Sequence, residues 1–129
     1  MLLGIGTDIV HLPRFRTLLS RVSPTRLARR VLAPTEQTDL VAALHLIWAS
    51  RSVTGVQPLS KRFAIKEAAF KALYPVYHLQ WHQVVVSKTQ ARKPTLQLTP
   101  EVAKLCGVRR SLVSVSHDGD YLVAVVVFE

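Results

Sequence analysis

The sequence predicts a single α+β domain over residues 1–129, with an antiparallel sheet packed around a central helix. Three observations support this. The 129 residues suffice for one hydrophobic core, and their 49% hydrophobic and 19% charged content is globular. Segments typical of strands and helices follow in the order strand, helices, strands, helix and hairpin. No repeat, low-complexity segment or domain boundary interrupts them.

The first half of the chain is predicted to contain a buried strand, a basic helix, a second helix and a loop. In that order they cover residues 2–10, 14–21, 35–48 and 50–60. Gly4 and Gly6 lie in the strand, where glycine often marks the close approach of another group to the backbone. Thr35 is the predicted N-cap of the second helix, and Glu36 lies favourably in its first turn.

The second half predicts the central helix, two strands, a short helix and a hairpin. These cover residues 60–74, 84–86, 95–98, 100–106, and 111–117 with 121–128. Ser60 can cap the central helix, which should stop before Pro75. Thr99 and Gly107 are the expected start and stop signals of the short helix. An Asp-Gly-Asp turn at 118–120 joins the hairpin strands.

The charge balance favours polyanionic partners. Seventeen Lys and Arg against eight acids give a net charge of +9, which suits nucleic acid, an anionic membrane, a phosphate-rich ligand or an acidic protein.

The single cysteine, Cys106, excludes an internal disulfide and a zinc cluster. No apolar run is long enough to span a bilayer. Residues 9–35 lack acids and resemble a mitochondrial transit peptide, but the prolines within them favour folded protein.

Two of the eight acids have no evident structural purpose. The other six lie in first helical turns, on a helix surface, in the hairpin turn or at the C-terminus: Glu36, Glu101, Asp39, Asp118, Asp120 and Glu129. Asp8 instead interrupts an apolar strand, where an unpaired carboxylate is costly. Glu67 lies on the same helical face as Phe63, Phe70 and Lys71.

Two interpretations of Glu67 are open from the residues alone. One is a salt bridge to Lys71 at i, i+4, worth about 0.2–0.5 kcal/mol. The other is a magnesium site shared with Asp8, since two carboxylates with water and phosphate oxygens are a common set of Mg²⁺ ligands. In the second case Arg62, Lys66 and Lys71 would face phosphates.

Three separated segments together resemble one family. They are GIGTDIV at 4–10, RFAIKEAAFKAL at 62–73 and SVSHDGDYLVAVVV at 114–127, with weaker support from RVLAPTEQ at 30–37. In order and spacing they resemble the holo-acyl-carrier-protein synthases, the short 4′-phosphopantetheinyl transferases. The resemblance covers essentially the whole chain and implies the fold of that family.

The resemblance implies a magnesium-dependent transfer of phosphopantetheine from coenzyme A to a serine of an apo acyl carrier protein, releasing 3′,5′-ADP, in fatty acid biosynthesis. By this resemblance Asp8 and Glu67 hold the metal, and Lys71 neutralises the pyrophosphate. Further contacts to coenzyme A come from Lys61, Arg62, Lys66 and His117. An acidic carrier docks on the basic segment that holds Arg14 and Arg21. The general base is left open between Asp8 and a water held by Glu67 or the metal.

The chain departs from the family after Leu73. Family members commonly have a glycine-containing turn there, whereas this chain has YPVYHLQW at 74–81, which leaves the contacts to adenine and the 3′-phosphate open. This tail resembles fungal mitochondrial members, which favours a mitochondrial location, with the cytoplasm as the alternative. Short members form homotrimers with sites between subunits; the altered turn keeps a monomer as the alternative.

Two other functions compete with transfer. A small basic nucleic-acid-binding protein would use the positive charge, but it leaves Asp8 and Glu67 unexplained and shows no aromatic stacking platform, so no nucleic-acid partner is expected. A metal-dependent nucleotide phosphohydrolase would use the same acids and lysines, with water replacing the carrier serine.

Overall fold

The computed structural model describes residues 1–38, 40 and 56–129. Its N-terminal elements are β1 (Gly4–His11), α1 (Leu12–Arg21) and α2 (Pro24–Val31), and residues 34–38 are also helical. The central helix, α3, spans Gln57–Leu73, and a short 3₁₀ turn follows at Trp81–Gln83. The remaining elements are β2 (Val84–Lys88), β3 (Pro94–Leu98), α4 (Pro100–Cys106), β4 (Ser111–Asp118) and β5 (Tyr121–Phe128).

The strands form two antiparallel sheets. One has three strands in the order β1–β5–β4, and the other pairs β2 with β3. The Ser111 hydroxyl donates a hydrogen bond to the Leu96 carbonyl and so links the two sheets. The α+β prediction and the predicted C-terminal hairpin are confirmed.

The central helix packs directly against β1 at two glycines. A Cβ atom added to Gly4 would overlap the carbonyl of Ala72, and one added to Gly6 would overlap the carbonyl of Ala68. Both alanines are buried, and their small side chains complete the close contact. The predicted approach to the β1 backbone is confirmed, and it fixes the strand that holds Asp8 against the helix that holds Glu67.

Two predicted helix starts are wrong. The central helix begins at Gln57, so Ser60 lies inside its first turn, fully buried, and its hydroxyl donates to the Gln57 carbonyl. Pro34 is already helical, so Thr35 is not an N-cap. The Glu36 carboxylate instead accepts a hydrogen bond from the Ala33 N–H at 2.8 Å, which serves the same helix end.

Other boundaries agree with prediction. The central helix ends at Leu73, before a cis Tyr74–Pro75 peptide bond, and Gly107 ends α4 with φ of 68°. Residues 9–35 are folded, with Phe15 and Leu19 of α1 in the core. Within the described ranges no helix is both long and apolar enough to cross a membrane. Asp39, most of the helix predicted at 35–48 and residues 50–55 of the loop predicted at 50–60 lie outside the described residues. Residues 57–60 of that predicted loop are helical instead.

Candidate active site

A cavity of about 530 Å³ brings together the two unexplained acids. Asp8 enters it from β1, and Glu67 enters from the central helix. Arg14 of α1 lines the same cavity, with Phe15 and Phe63 on its apolar side. The structure therefore brings together two carboxylates that lie 59 positions apart in the sequence.

Lys71 pairs with Asp8. Its Nζ donates to Asp8 Oδ1 at 2.8 Å and to the Thr7 carbonyl at 3.0 Å. Among the ion pairs of the described residues, none joins Lys71 to Glu67, so the simple i, i+4 salt bridge is wrong. The lysine instead bridges from helix to strand and holds its charge beside both carboxylates.

Burial raises the pKa of Glu67, and the nearby charge of Asp8 raises it further, while Lys71 acts in the opposite direction. Two carboxylates thus share one cavity, where burial and the charge of Asp8 both disfavour the ionised form of Glu67. This environment fits a hard divalent cation, for which carboxylate oxygens are preferred ligands. The described residues contain no group of three or more His, Cys, Asp or Glu suited to a metal.

An aromatic wall surrounds Glu67 on the helix. The Trp81 ring lies 5.2 Å from that of Phe63 and 4.8 Å from that of Phe70, and Phe63 also contacts Phe15 at 5.5 Å. Phe63 and Phe70 precede and follow Glu67 on its own face. Phe15 and Phe63 also line the cavity that contains Glu67, so this aromatic cluster forms its apolar side.

A second recess, of about 370 Å³, contains most of the basic residues expected to contact coenzyme A. Lys61, Arg62 and His117 line it, together with Lys88 and Arg92 of the β2–β3 hairpin. The residues of the central helix that line this recess lie on the side away from Phe63 and Glu67. At roughly 100° per residue, the two groups are about 170° apart around the helix axis. One copy of the chain therefore carries the acidic cavity and the basic recess on opposite faces of the same helix.

Lys66 lies in neither cavity. Its ammonium is fully buried and donates to Glu36 Oε2 at 2.6 Å, to the Val31 carbonyl at 2.7 Å and to the Trp81 carbonyl at 3.1 Å. The prediction that Lys66 faces phosphates is wrong, because all three of its N–H donors are already used inside the protein. Burial lowers the pKa of Lys66, an effect that its hydrogen bond to Glu36 opposes.

Glu36 is likewise more than a first-turn acid. Its side chain is 2% exposed, and Arg62 Nε lies 3.6 Å from Oε1 in addition to the Lys66 contact. Arg62 therefore connects this buried cluster to the basic recess. Arg62 and Lys66 are one helical turn apart, so the sequence could have shown that both cations face one partner. The identity of that partner depends on tertiary contacts.

Only one of the two arginines predicted to bind the carrier protein lies at this cavity. Arg14 lines the acidic cavity, whereas Arg21, in the last turn of α1, is exposed and does not line it. His11 and Tyr121, which the sequence did not single out, complete the cavity rim. They are register partners on β1 and β5 with ring centroids 5.1 Å apart, so strand pairing was the signal that could have found them.

Comparisons with known proteins find one family of relatives. The model of the 4′-phosphopantetheinyl transferase superfamily matches residues 4–126. The chain is similar to 4′-phosphopantetheinyl transferase B, mitochondrial, of Aspergillus fumigatus, with 39% identity covering 96% of this chain and 92% of the relative. It is also similar to the holo-[acyl-carrier-protein] synthase of Citrobacter koseri, with 38% identity over 99% and 98% of the two chains.

A solved structure supports the same relationship. The holo-[acyl-carrier-protein] synthase of Helicobacter pylori in complex with coenzyme A superposes with a TM-score of 0.72 at 27% identity. The match covers 97% of this chain and 99% of that one. The likeness therefore extends over nearly the whole chain.

Proposed function

The chain belongs to the 4′-phosphopantetheinyl transferase superfamily, and we propose that it transfers the 4′-phosphopantetheine arm of coenzyme A to a serine of an apo acyl carrier protein, with Mg²⁺ and with release of 3′,5′-ADP. The observation that carries the proposal is the cavity that both Asp8 and Glu67 line, with Lys71 hydrogen-bonded to Asp8. Phosphoryl transfer asks mostly for positioning and charge stabilisation, which two carboxylates around a cation and a lysine can supply.

Each residue of the cavity has a distinct task in this reaction. The serine oxygen forms a bond to the pyrophosphate phosphorus that carries the pantetheine arm, and the bond from that phosphorus to the 3′,5′-ADP oxygen breaks. Asp8 and Glu67 would hold Mg²⁺, which supplies charge stabilisation at the pyrophosphate when bound. Lys71 leaves Asp8 to meet the phosphate oxygens. The serine proton passes to Asp8 or to a water held by Glu67.

Arg14 is the proposed contact to the acidic carrier protein. It lies at the rim of the cavity, where the carrier serine must enter. Arg21 extends the same positive surface at the end of α1 and would steer the carrier without touching the reacting atoms.

We further propose that the enzyme works as a homotrimer. The acidic cavity and the basic recess lie on opposite sides of one helix. One coenzyme A molecule would therefore not contact both sites of a single copy. The outward face of the β1–β5–β4 sheet offers a surface for association: Ile5 and Ile9 are each 62% exposed, and Leu112 and Tyr121 share that face. Association there would bring the recess of one copy to the cavity of the next.

A mitochondrial location is also a proposal. It rests on the relative from Aspergillus fumigatus, whose name places that protein in the mitochondrion. Imaging of the chain fused to a fluorescent protein in its own cells would test it, and a uniform cytoplasmic signal would reject it.

The transfer itself is tested by incubating the protein with coenzyme A, Mg²⁺ and an apo acyl carrier protein. The carrier should gain the mass of one phosphopantetheine, with equimolar 3′,5′-ADP. A carrier whose serine is replaced by alanine is the control and should gain no mass. Release of 3′,5′-ADP without any carrier would identify a hydrolase instead, and an unmodified carrier would reject transfer.

A further inference from the structure

A third cavity, of about 340 Å³, opens beside Lys71 where the central helix gives way to the tail at 74–81. This aromatic pocket is lined by the end of the helix and by the tail: Phe70, Lys71, Tyr74, Tyr77, His78 and Leu79. Its volume is at the lower end of the range for small-molecule sites. Apart from Lys71, none of these residues has a part in the transfer proposed above.

Lys71 connects the aromatic pocket to the acidic cavity. Its Nζ donates to Asp8 Oδ1 at 2.8 Å, and its side chain also lines the pocket. Phe70, Lys71 and Tyr74 follow Glu67 by three, four and seven positions, so they continue the same side of the helix. A ligand with a phosphate at Lys71 can therefore extend from the acidic cavity into the pocket.

The lining of the aromatic pocket suits an uncharged chain better than a nucleotide phosphate. Of the described residues that line it, only Lys71 carries a permanent charge, and that charge is paired with Asp8. The basic recess instead collects several cations, which suit the phosphate-rich nucleotide half of coenzyme A. The other half, the pantetheine arm, is neutral and matches the aromatic pocket.

Two polar side chains of the pocket are available to a ligand. The rings of Tyr74 and His78 meet edge to face, with centroids 5.0 Å apart. No hydrogen bond among the described residues uses the Tyr74 hydroxyl or the His78 ring nitrogens. The amide and hydroxyl groups of the arm need such partners when they leave water, and its methyl groups can pack against the rings.

The other side of the pocket is fixed by the fold. The Tyr77 hydroxyl accepts a hydrogen bond from Gln83 Nε2 at 3.2 Å, and Leu79 is buried in the core. The Phe70 ring lies 4.8 Å from that of Trp81. These contacts hold an apolar wall in place before any ligand arrives, which lowers the cost of ordering the site.

We propose that the aromatic pocket binds the pantetheine arm of coenzyme A, with Tyr74 and His78 as its contact residues. This rests on the proposed function, in which Lys71 meets the phosphate that carries the arm. Lys71 is the junction: its ammonium faces the phosphate, and the neutral arm runs past Tyr74 toward His78. The tail at 74–81 thus determines how the chain holds the group that it transfers.

Equilibrium binding of coenzyme A and of 3′,5′-ADP, with Mg²⁺ and without a carrier, tests the proposal, because 3′,5′-ADP has the nucleotide but lacks the arm. Tyr74→Ala and His78→Ala should each raise the Kd of coenzyme A by about 4- to 15-fold, the value of one or two CH₂ groups returned to water. Both should leave the Kd of 3′,5′-ADP within about twofold. The two side chains are exposed, so both variants should fold.

Val76→Ala is the matched control, because it shortens an apolar side chain of the same tail that is 84% exposed and does not line the pocket. It should leave both dissociation constants unchanged. Equal losses of coenzyme A and 3′,5′-ADP binding in the pocket variants would show that the pocket does not recognise the arm, and would overturn the proposal. An equal loss in Val76→Ala, or coenzyme A binding unchanged in both pocket variants, would also overturn it.

Carrier modification by the same proteins separates this proposal from the transfer reaction. If no carrier is modified but the pocket variants lose affinity for coenzyme A alone, the pocket stands and the transfer proposal fails. If carriers are modified but Tyr74→Ala and His78→Ala bind coenzyme A as tightly as the wild type, the pocket proposal fails alone.

Discussion

Lys66→Met is predicted to destabilise the fold without acting directly on substrate binding. The substitution keeps a similar apolar stem but removes the ammonium that holds three acceptors: the Glu36 carboxylate and the carbonyls of Val31 and Trp81. Glu36 is then left as a charge that is 2% exposed, with Arg62 at 3.6 Å as its remaining ionic neighbour.

The expected loss follows from that burial. Removing one partner of a buried ion pair costs about 3–5 kcal/mol, because the other charge remains desolvated. For a domain of 129 residues, with an unfolding entropy of about 2.1 cal/mol/K per residue, this lowers Tm by roughly 10–20 °C. Replacing both partners, as in Glu36→Leu with Lys66→Met, should cost less than the sum of the single changes.

Chemical unfolding of the two single variants and the double variant measures this coupling. Lys61→Met is the control, because Lys61 is on the same helix but is only half-buried and lines the recess; it should change stability by less than about 0.5 kcal/mol. A Lys66→Met variant as stable as the wild type, with weakened binding of 3′,5′-ADP, would refute the buried role and restore the phosphate-facing one.

Three further changes test the packing, the electrostatics and the assembly. Gly6→Ala forces a Cβ into the Ala68 carbonyl, so chemical unfolding should show a loss of about 1–3 kcal/mol; unchanged stability would contradict the close contact. Because the folded pKa of Glu67 is raised, the metal-free fold binds more protons than the unfolded chain above pH 4.5. Its stability should therefore fall as pH rises through the folded pKa, a slope that Glu67→Gln should reduce. Val125→Asp, in the middle of the outer sheet face, should give monomers in sedimentation; an unchanged mass would contradict association there.

The fold was predictable where local signals are strong. Pro100 and Gly107 bound α4, and the Asp-Gly-Asp turn defines the C-terminal hairpin, because these residues restrict the backbone directly. The start of the central helix was missed because Gln57 carries no capping signal, and Val56 provides no side-chain cap. Tertiary packing of the first turn decides that boundary.

The candidate site was predictable in part for a related reason. Asp8 and Glu67 stood out because neither had a local structural role, and the structure places both in one cavity. Lys66 was misassigned because its neighbours on the helix resemble a phosphate-binding face, whereas its partner Glu36 lies 30 residues earlier. Lys88 and Arg92 reach the recess through sheet pairing and a left-handed turn, which no single segment shows.

The most direct test of the carboxylate pair is the rate of phosphopantetheine transfer by Glu67→Gln at saturating Mg²⁺. The amide keeps the size of the side chain but removes the charge proposed to hold the metal, so the rate should fall by about 10³-fold or more. Its Tm without metal should equal or exceed that of the wild type, because a desolvated charge beside Asp8 is lost. A folded Glu67→Gln enzyme that transfers at the wild-type rate would contradict the proposed role of this carboxylate.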